Sequence, residues 1–259
     1  RGMTLKREGR EGALYEGGGG EPPADIIALS VVPVAKPIDS PRDVRRMVIL
    51  LKGGGVEALL AEAYGAINLD YQGALTIERA DISTLKPPML PMVDPQFEPY
   101  LEATATLQSD DPNIQRVSRQ IVDDDLRSDL AARKLMDFVF NHLEKVPTVG
   151  IPNAREALAV GQGDCNEHTA LFTALARASG LPTRIAAGIV YSDTSFGGQG
   201  FFYHAWPEVY LGEWVAIDPT FGQFPADATH VKLVEGDLNQ QVALIRVVGN
   251  LSIEIVETK

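Results

Sequence analysis

GQGDCNEHTALFTALARASG, residues 161–180, contains the only cysteine among the 259 residues of this chain. Asp164 is of a residue type that caps helices, and apolar residues recur after it at steps of three and four, which predicts a buried helix. Gly180 and Pro182 predict where that helix ends. Cys165 is therefore predicted in the first helical turn, where free backbone N–H groups and the helix dipole favour a thiolate. A single thiol in that position is a candidate nucleophile.

A nucleophile needs a base and a residue that orients the base, and both candidates lie downstream. Residues 201–210 (FFYHAWPEVY) and 214–220 (WVAIDPT) are rich in aromatic and β-branched side chains and flank a glycine, which predicts a β-hairpin. A turn of about three residues pairs Asp218 with Trp206. His204 and Asp218 are then expected on the same face of the sheet, one diagonal step apart.

Three motifs occur in order: Gly-Asp-Cys-x-Glu-His with its following Ala-Leu-x-Arg-Ala-x-Gly-Leu-Pro-x-Arg segment, then His-Ala-Trp-x-Glu-Val-Tyr, and then Trp-x-x-x-Asp-Pro-Thr. Together they resemble the transglutaminase-like cysteine-peptidase superfamily, from about residue 110 to about residue 220. The resemblance implies that Cys165 is the nucleophile, His204 the base and Asp218 the orienting residue. Such domains cleave or exchange amide bonds through a thioester on the cysteine.

The predicted fold class is α+β. An N-terminal β-rich, sandwich-like domain precedes a papain- or transglutaminase-like domain in which helices pack on an antiparallel sheet. Residues 1–24 are rich in glycine and poor in apolar side chains, which predicts a linker or mobile arm. The β-rich domain is assigned to residues 25–108. The catalytic domain is assigned to residues 109–259, because capping residues and a proline begin a helix near its start.

Alternating patterns in the β-rich domain predict strands at residues 26–34, 44–51, 73–78 and 100–107, and a short helix at 56–63. Pro33 lacks a backbone donor, which places the first strand at a sheet edge. The proline-rich run 87–95 predicts an extended connection, which we expect to lie beside the catalytic cleft.

The catalytic domain is predicted to contain helices at 114–122, 126–143 and 153–160 and a strand at 183–191. Residues 192–200 include three glycines and are predicted to form either a flap over the site or an ordinary hairpin loop. Two tail strands, 242–248 and 251–256, are predicted to form a hairpin that extends the catalytic sheet.

The oxyanion of an acyl-transfer intermediate needs hydrogen-bond donors close to the nucleophile. The backbone N–H of Cys165 is the natural first donor, and the side-chain amide of Gln162 is a candidate second donor. Asp164, Tyr203 and Trp206 flank the predicted catalytic residues. We interpret Tyr203 and Trp206 mainly as packing residues, with Trp206 able to shield the histidine–aspartate pair from water.

Composition limits the partners of this chain. The net charge of −12 argues against nucleic acid, because phosphate binding needs basic patches. No run of about 18 apolar residues is present, so we predict no transmembrane segment. The predicted partner is a peptide or protein substrate. A single cysteine leaves the compartment open, and the start at Arg1 suggests a processed piece of a longer protein, with an extracytoplasmic bacterial fragment as one alternative.

The predicted reaction is amide hydrolysis, by analogy with bacterial proteins of this type, and no cofactor or metal is expected. Acyl transfer to an amine, as in transglutaminases, stays open, as does transfer from a carrier thioester, as in arylamine acetyltransferases. A catalytically silent binding or scaffold module is the alternative from another class. A zinc site at Cys165 and His168 would need two more ligands, for which His204, Asp218 and His230 are available.

Overall fold

The computed structural model of this protein describes residues 31–64, 73–124, 126–148, 151–193, 199–236 and 250–259, together with 244, 247 and 248. It combines helices with antiparallel sheets, which confirms the α+β class. The α-helices are α1 (Val56–Tyr64), α2 (Pro112–Val122), α3 (Ser128–His142), α4 (Ala154–Val160) and α5 (Cys165–Ala178). The strands are β1 (Val32–Pro33), β2 (Arg46–Lys52), β3 (Ala74–Glu78), β4 (Glu144–Lys145), β5 (Gln162–Gly163), β6 (Thr183–Ser192), β7 (Gly200–Tyr210), β8 (Trp214–Ala216), β9 (Val231–Glu235) and β10 (Ser252–Thr258). Three 3-10 helices occupy Pro41–Asp43, Ile82–Thr84 and Pro95–Tyr100.

The larger sheet is built on β7, in the order β1-β7-β6-β9, with β8 also paired to β7. The hairpin of β7 and β8 has the predicted register, because Glu208 faces Ala216. β8 ends at Ala216, and the chain then turns so that Asp218 pairs with Gln223. β1 lies at the edge of this sheet, as its proline predicted. The sequence patterns did not predict β9.

The central helix α5 closes a gap in the outer edge of β7. That edge is covered by β1 at Phe201 and by β8 from Glu208 onward. Between these strands, the Thr169 hydroxyl donates a hydrogen bond of 3.0 Å to the carbonyl of Ala205. The N–H of Ala205 also acts on the sulfur of Cys165, where it opposes the rise in the pKa of the thiol. The start of α5 is therefore fixed against the strand that carries His204.

The second sheet has the order β10-β2-β3, so the last strand of the chain pairs beside two strands from its N-terminal part. β10 pairs antiparallel with β2, with Ile255 facing Ile49. The predicted tail hairpin is therefore wrong: the described residues Leu244, Val247 and Val248 are helical, and the last strand extends the smaller sheet. The predicted domains 25–108 and 109–259 share this sheet, and the boundary between them stays a prediction.

The strand predicted at 100–107 is also wrong. A 3-10 helix ends at Tyr100, and residues 101–108 contain no strand. Two prolines in this helix limit backbone pairing, and the Asp94 carboxylate caps its start by accepting from the N–H of Gln96. Local capping and proline geometry thus outweigh the alternating pattern.

The proline-rich connection 87–95 contains no regular strand or helix before Pro95, where a 3-10 helix begins, but it lies away from Cys165. The N–H of Met92 donates to the carbonyl of Gly180, just past the end of α5. A Cβ atom on Gly180 would approach Pro91 to 2.4 Å, so glycine is required for this contact. Because α5 is about 20 Å long, the connection packs at the end opposite the predicted nucleophile, and its expected place beside the cleft is wrong.

The predicted arm 1–24 and most of the predicted flap, residues 194–198, lie outside the described residues. Both stay predictions. No helix within the described ranges is long and apolar enough to cross a membrane.

Candidate active site

A buried hydrogen bond joins His204 to Asp218. The Nε2 atom of His204 lies 2.8 Å from Oδ2 of Asp218, and both side chains are almost fully buried. The other carboxylate oxygen accepts the N–H groups of Thr220 and Phe221, at 2.7 and 3.0 Å. Since Asp218 is an acceptor, the proton of neutral His204 resides on Nε2. The Nδ1 atom of His204 is then left with its lone pair available.

Cys165 and His204 line the same cavity, which has a volume of about 280 Å³. Cys165 is the first residue of α5, and Asp164 caps that helix by accepting from the N–H of Asn166 at 2.8 Å. The carboxylate of Glu167 completes a capping box by accepting from the N–H of Asp164 at 3.0 Å. The capped helix start therefore presents the thiol to the cavity that His204 also faces, with Asp218 behind the imidazole.

Burial sets the protonation of the thiol and imidazole. It raises the pKa of Cys165 well above its usual range, and the neighbouring Asp164 carboxylate raises it further. Burial lowers the pKa of His204, although Asp218 opposes this shift. Both shifts favour a neutral thiol and a neutral imidazole in the resting site. Desolvation opposes the thiolate that the helix start was expected to favour, and that expectation stays a prediction.

Asp164 is itself perturbed. Burial and the Glu167 carboxylate raise its pKa to about 7. Above that pH Asp164 is negative and opposes formation of the Cys165 thiolate. The residue that caps the helix therefore also sets the reactivity of the thiol next to it.

Replacing Asp164 by asparagine is expected to make Cys165 more reactive. Asparagine caps helices about as well as aspartate, so the bond to the N–H of Asn166 is kept while the charge is removed. We expect the pKa of Cys165 to fall by about one unit, which raises its alkylation rate by iodoacetamide at pH 8 about tenfold. Intact-mass measurements follow this rate directly, because Cys165 is the only thiol.

The matched control is Asp94→Asn, which changes another aspartate that caps a helix start. Its alkylation rate should equal that of the wild type. An unchanged rate in Asp164→Asn as well would show that the Asp164 charge does not act on the thiol.

Gln162, the candidate second oxyanion donor, does not reach the cavity of Cys165. Its exposed side-chain amide donates to the Glu144 carboxylate at 2.9 Å. It lines a neighbouring pocket, separated from the first by Val146 and Pro147, which border both. The physical reason is the pairing of β5 with β4, which places a carboxylate next to the amide.

The two aromatic residues that flank His204 have different surroundings. Tyr203 lines the cavity, and its hydroxyl donates to the Asn166 side chain at 3.2 Å. Trp206 is fully buried, and its ring stacks against His204 with the centroids 6.0 Å apart. Trp206 therefore packs against the imidazole, and its role in shielding the histidine–aspartate pair from water stays a prediction.

Asp218 has a second histidine partner, His230, that the sequence patterns did not predict. His230 Nε2 lies 2.9 Å from Asp218 Oδ2, and His230 Nδ1 lies 3.5 Å from Asp227 Oδ1. Arg42 forms an ion pair of 3.0 Å with Asp227. Val231, Lys232 and Leu233 alternate between apolar and polar side chains, a signal from which β9 could have been predicted. Nothing local to Arg42 indicates its partner.

The possible zinc site at Cys165 and His168 is not assembled. His168 is fully buried, and its Nδ1 atom donates to the backbone carbonyl of Asp164 at 2.7 Å, which is a structural role. Across the described parts of the chain, one set of histidine, cysteine or carboxylate side chains brings three ligand atoms within 4.8 Å of one another: His204, Asp218 and His230. One nitrogen of each imidazole in that set already hydrogen-bonds to Asp218, so these atoms are occupied by hydrogen bonds.

The family model described as the transglutaminase-like superfamily matches residues 115–219. A solved Cytophaga hutchinsonii protein, provisionally named a cysteine protease, aligns with a TM-score of 0.49 and 15% identity over 88% of this chain and 80% of its own. The periplasmic domain of TgpA from Pseudomonas aeruginosa aligns with a TM-score of 0.39 and 20% identity over 50% of this chain and 49% of its own. A Parabacteroides distasonis protein, provisionally named a protease, aligns with a TM-score of 0.33 and 9% identity over 74% and 44% of the two chains.

No curated protein matches this chain at a significant level. The matched segment contains α5, β6, β7 and β8, and with them Cys165, His204 and Asp218. The resemblance of this chain to the transglutaminase-like superfamily is therefore confirmed over residues 115–219.

Proposed function

We propose that this protein hydrolyses amide bonds of peptides or proteins through Cys165, His204 and Asp218. One observation carries the proposal. His204 binds a buried carboxylate through one ring nitrogen and opens, together with the only thiol of the chain, onto one cavity. A thiol, an imidazole and a carboxylate in this order form the arrangement of nucleophilic acyl transfer.

The neutral resting pair defines the first step. As the Cys165 sulfur attacks the substrate carbonyl carbon, a C–S bond forms and the thiol proton passes to Nδ1 of His204. The carbonyl oxygen becomes an oxyanion, to which we assign the backbone N–H of Cys165 at the helix start as a donor. Proton transfer during attack avoids forming a free thiolate, which burial makes unfavourable.

The following steps return the enzyme to its starting state. The tetrahedral intermediate collapses, the C–N bond breaks, and the leaving amine takes the proton from His204. The acyl group is then a thioester on Cys165. Water attacks this thioester while His204 takes one of its protons. The C–S bond then breaks, the same proton passes from His204 to the Cys165 sulfur, and a carboxylic acid is released. Asp218 orients the imidazole throughout and stabilises its transient positive charge.

The cavity lining favours an acyl group with an apolar side chain. Five of its residues are aliphatic, proline or phenylalanine: Val146, Pro147, Val190, Phe202 and Phe221. Apolar walls bind apolar side chains by removing both from water. They also exclude water from the attacking thiol, which strengthens the electrostatic effect of the helix start.

The direct test compares wild-type protein with protein whose Cys165 has been alkylated by iodoacetamide at pH 9. Because the chain has one cysteine, this block is specific and needs no mutation. Both samples are incubated with N,N-dimethylcasein, and monodansylcadaverine, whose own primary amine reacts with fluorescamine, is added only to a parallel set of reactions. We expect new amino termini only with the unblocked protein, detected with fluorescamine, because methylation masks the original amines of the casein.

The other outcomes separate the alternatives. Dansyl incorporation with ammonia release and without new termini would replace hydrolysis by acyl transfer to an amine. Equal results from blocked and unblocked protein, with no new termini and no dansyl incorporation, would overturn the enzymatic proposal and favour a binding or scaffold module.

A further inference from the structure

We propose that His230 is a positioning residue of this site: a second imidazole, cationic at neutral pH, that donates to the same oxygen of Asp218 as His204. This inference rests on the proposed function of Cys165, His204 and Asp218. It adds a residue that lies outside the segment matched by the family model, residues 115–219. Its physical basis is a continuous chain of buried hydrogen bonds and ion pairs.

The two histidines share one carboxylate oxygen. Oδ2 of Asp218 lies 2.8 Å from Nε2 of His204 and 2.9 Å from Nε2 of His230. Asp218 and the side chain of His230 are almost wholly buried. Two donors on one buried oxygen leave it little freedom to rotate. The position of the His204 ring therefore depends on His230 as well as on Asp218.

The far side of His230 is held by a second carboxylate. Its Nδ1 atom lies 3.1 Å from the backbone carbonyl of Asp227 and 3.5 Å from Oδ1 of that residue. Both ring nitrogens thus face acceptors, and an imidazole can donate from both only when it is protonated. The geometry requires the imidazolium form.

Arg42 connects this network to the N-terminal part of the chain. Its guanidinium pairs with Asp227 at 3.0 Å and lies 4.4 Å from the ring centroid of Phe221. The Phe221 ring in turn stacks on His204, with the centroids 5.1 Å apart. The network therefore surrounds the His204–Asp218 pair, and its sequence of charges is Arg42⁺, Asp227⁻, His230⁺ and Asp218⁻.

The charges that face His230 explain its protonation. Burial alone would lower its pKa, but Asp227 and Asp218 outweigh burial and raise the pKa to about 9. The other charged or titratable groups of the network are His204 and Arg42. At neutral pH the cation on His230 partly cancels the charge of Asp218.

This cancellation affects the base. Burial lowers the pKa of His204, and the positive charges of His230 and Arg42 lower it further, against the opposing effect of Asp218. An ordinary aspartate–histidine pair raises the pKa of histidine. Here His230 keeps His204 neutral, and so able to accept a proton, at more acidic pH.

The test uses the four histidines of the chain, which are His142, His168, His204 and His230. Each single His→Gln variant assigns one imidazole in ¹⁵N–¹H spectra of the full chain. The signals that are absent from the spectrum of His230→Gln belong to His230. In the wild-type spectrum, these signals should remain those of an imidazolium up to about pH 9. Glutamine keeps a donor for Asp218 but carries no charge, so in His230→Gln the pKa of His204 should rise by about one unit.

Two further variants keep the test decisive. Asp227→Asn retains His230 but removes its anionic partner, and the pKa of His230 should fall by at least about one unit. His142→Gln is the matched control, because His142 stacks on Phe138 and lines none of the Cys165 cavity. It should leave the titrations of His204 and His230 unchanged.

The outcomes distinguish this inference from the proposed function. Casein cleavage that depends on Cys165, with the acid limb of kcat/KM moved to higher pH in His230→Gln, supports both. If casein is cleaved but His204 titrates identically in wild type and His230→Gln, the proposed function stands and the role of His230 is overturned. A wild-type His230 that titrates near pH 6.5 also overturns it. Absent cleavage with a His230 that titrates near pH 9 removes the proposed function and supports the charge arrangement.

Discussion

Replacing Asp218 by asparagine is expected to reduce kcat/KM for amide hydrolysis by about 10³- to 10⁴-fold. The Asp218 carboxylate accepts four hydrogen bonds: from His204, from His230 and from the backbone N–H groups of Thr220 and Phe221. An asparagine side chain has one oxygen and one NH₂ group. Whichever way it is turned, the NH₂ group faces donors, so at least two of these bonds are lost.

The loss at His204 has a specific chemical form. If the NH₂ group of the introduced asparagine faces the imidazoles, neutral His204 must carry its proton on Nδ1 to accept from it through Nε2. The nitrogen that should take the thiol proton is then already protonated, and the step from Cys165 to His204 is blocked. The wrong tautomer reduces kcat more than substrate binding, because the cavity lining is unchanged.

The same variant is expected to destabilise the fold. The pKa of Asp218 is held well below its usual range: burial raises it, but the interactions with His204 and His230 outweigh burial. Its removal leaves the His230 cation with one anionic partner. Breaking a buried ion pair on one side costs about 3 to 5 kcal/mol, which urea denaturation measures as a lower free energy of unfolding.

Asp137→Asn is the control for Asp218→Asn, because Asp137 is exposed on α3 and lies outside the cavity. It should leave both kcat/KM and the free energy of unfolding at the wild-type values. Near-wild-type turnover in Asp218→Asn would contradict the proposed role of the carboxylate.

Replacing Gly188 by alanine is expected to lower the free energy of unfolding by about 3 kcal/mol or more. Gly188 lies on β6 directly opposite His204, where the pairing of β6 with β9 shifts register. A Cβ atom there would lie 1.9 Å from the carbonyl oxygen of Val231 and 3.0 Å from the backbone N of Leu233. Because both atoms are backbone, no flexible side chain can move aside, and β9 must separate from β6.

This separation also reaches the site. Val231 follows His230, so movement of β9 displaces the imidazole that holds Asp218. We therefore expect Gly188→Ala to lose activity as well as stability, with urea denaturation and casein cleavage as the two measurements. Gly73→Ala is the control: its φ of +77° is strained for alanine, but no atom lies within 4 Å of the added carbon. It should cost about 1 kcal/mol and leave turnover intact; equal losses in the two variants would contradict the steric argument.

Much of the fold could be predicted from local sequence. The four predicted helices near the site correspond to α2 to α5, and the spacing of His204 and Asp218 around a short turn predicted the register of β7 and β8. These features depend on periodicity, capping and turn length, which act over a few residues. The predictions for 100–107 and for the tail were wrong because an alternating pattern alone does not show whether, or with which strand, a segment pairs.

The candidate site was predictable only in part, because some of its contacts join residues that are far apart in the sequence. Local motifs indicated Cys165, His204 and Asp218, whereas Gln162 was assigned by proximity in sequence and instead pairs with Glu144. The contribution of His230 depends on how β9 pairs with β6.

Short-range sequence features specify a capped helix that begins at Cys165 and a hairpin that carries His204 next to Asp218, because both follow from local hydrogen bonding and side-chain periodicity. Long-range packing alone establishes that β10 completes the smaller sheet, that His230 reaches Asp218 and Arg42 reaches Asp227, and that burial raises the pKa of the thiol. Burial and long-range pairing are properties of the whole packed chain. They set the charge of each buried group, and so they decide how the same three residues can react.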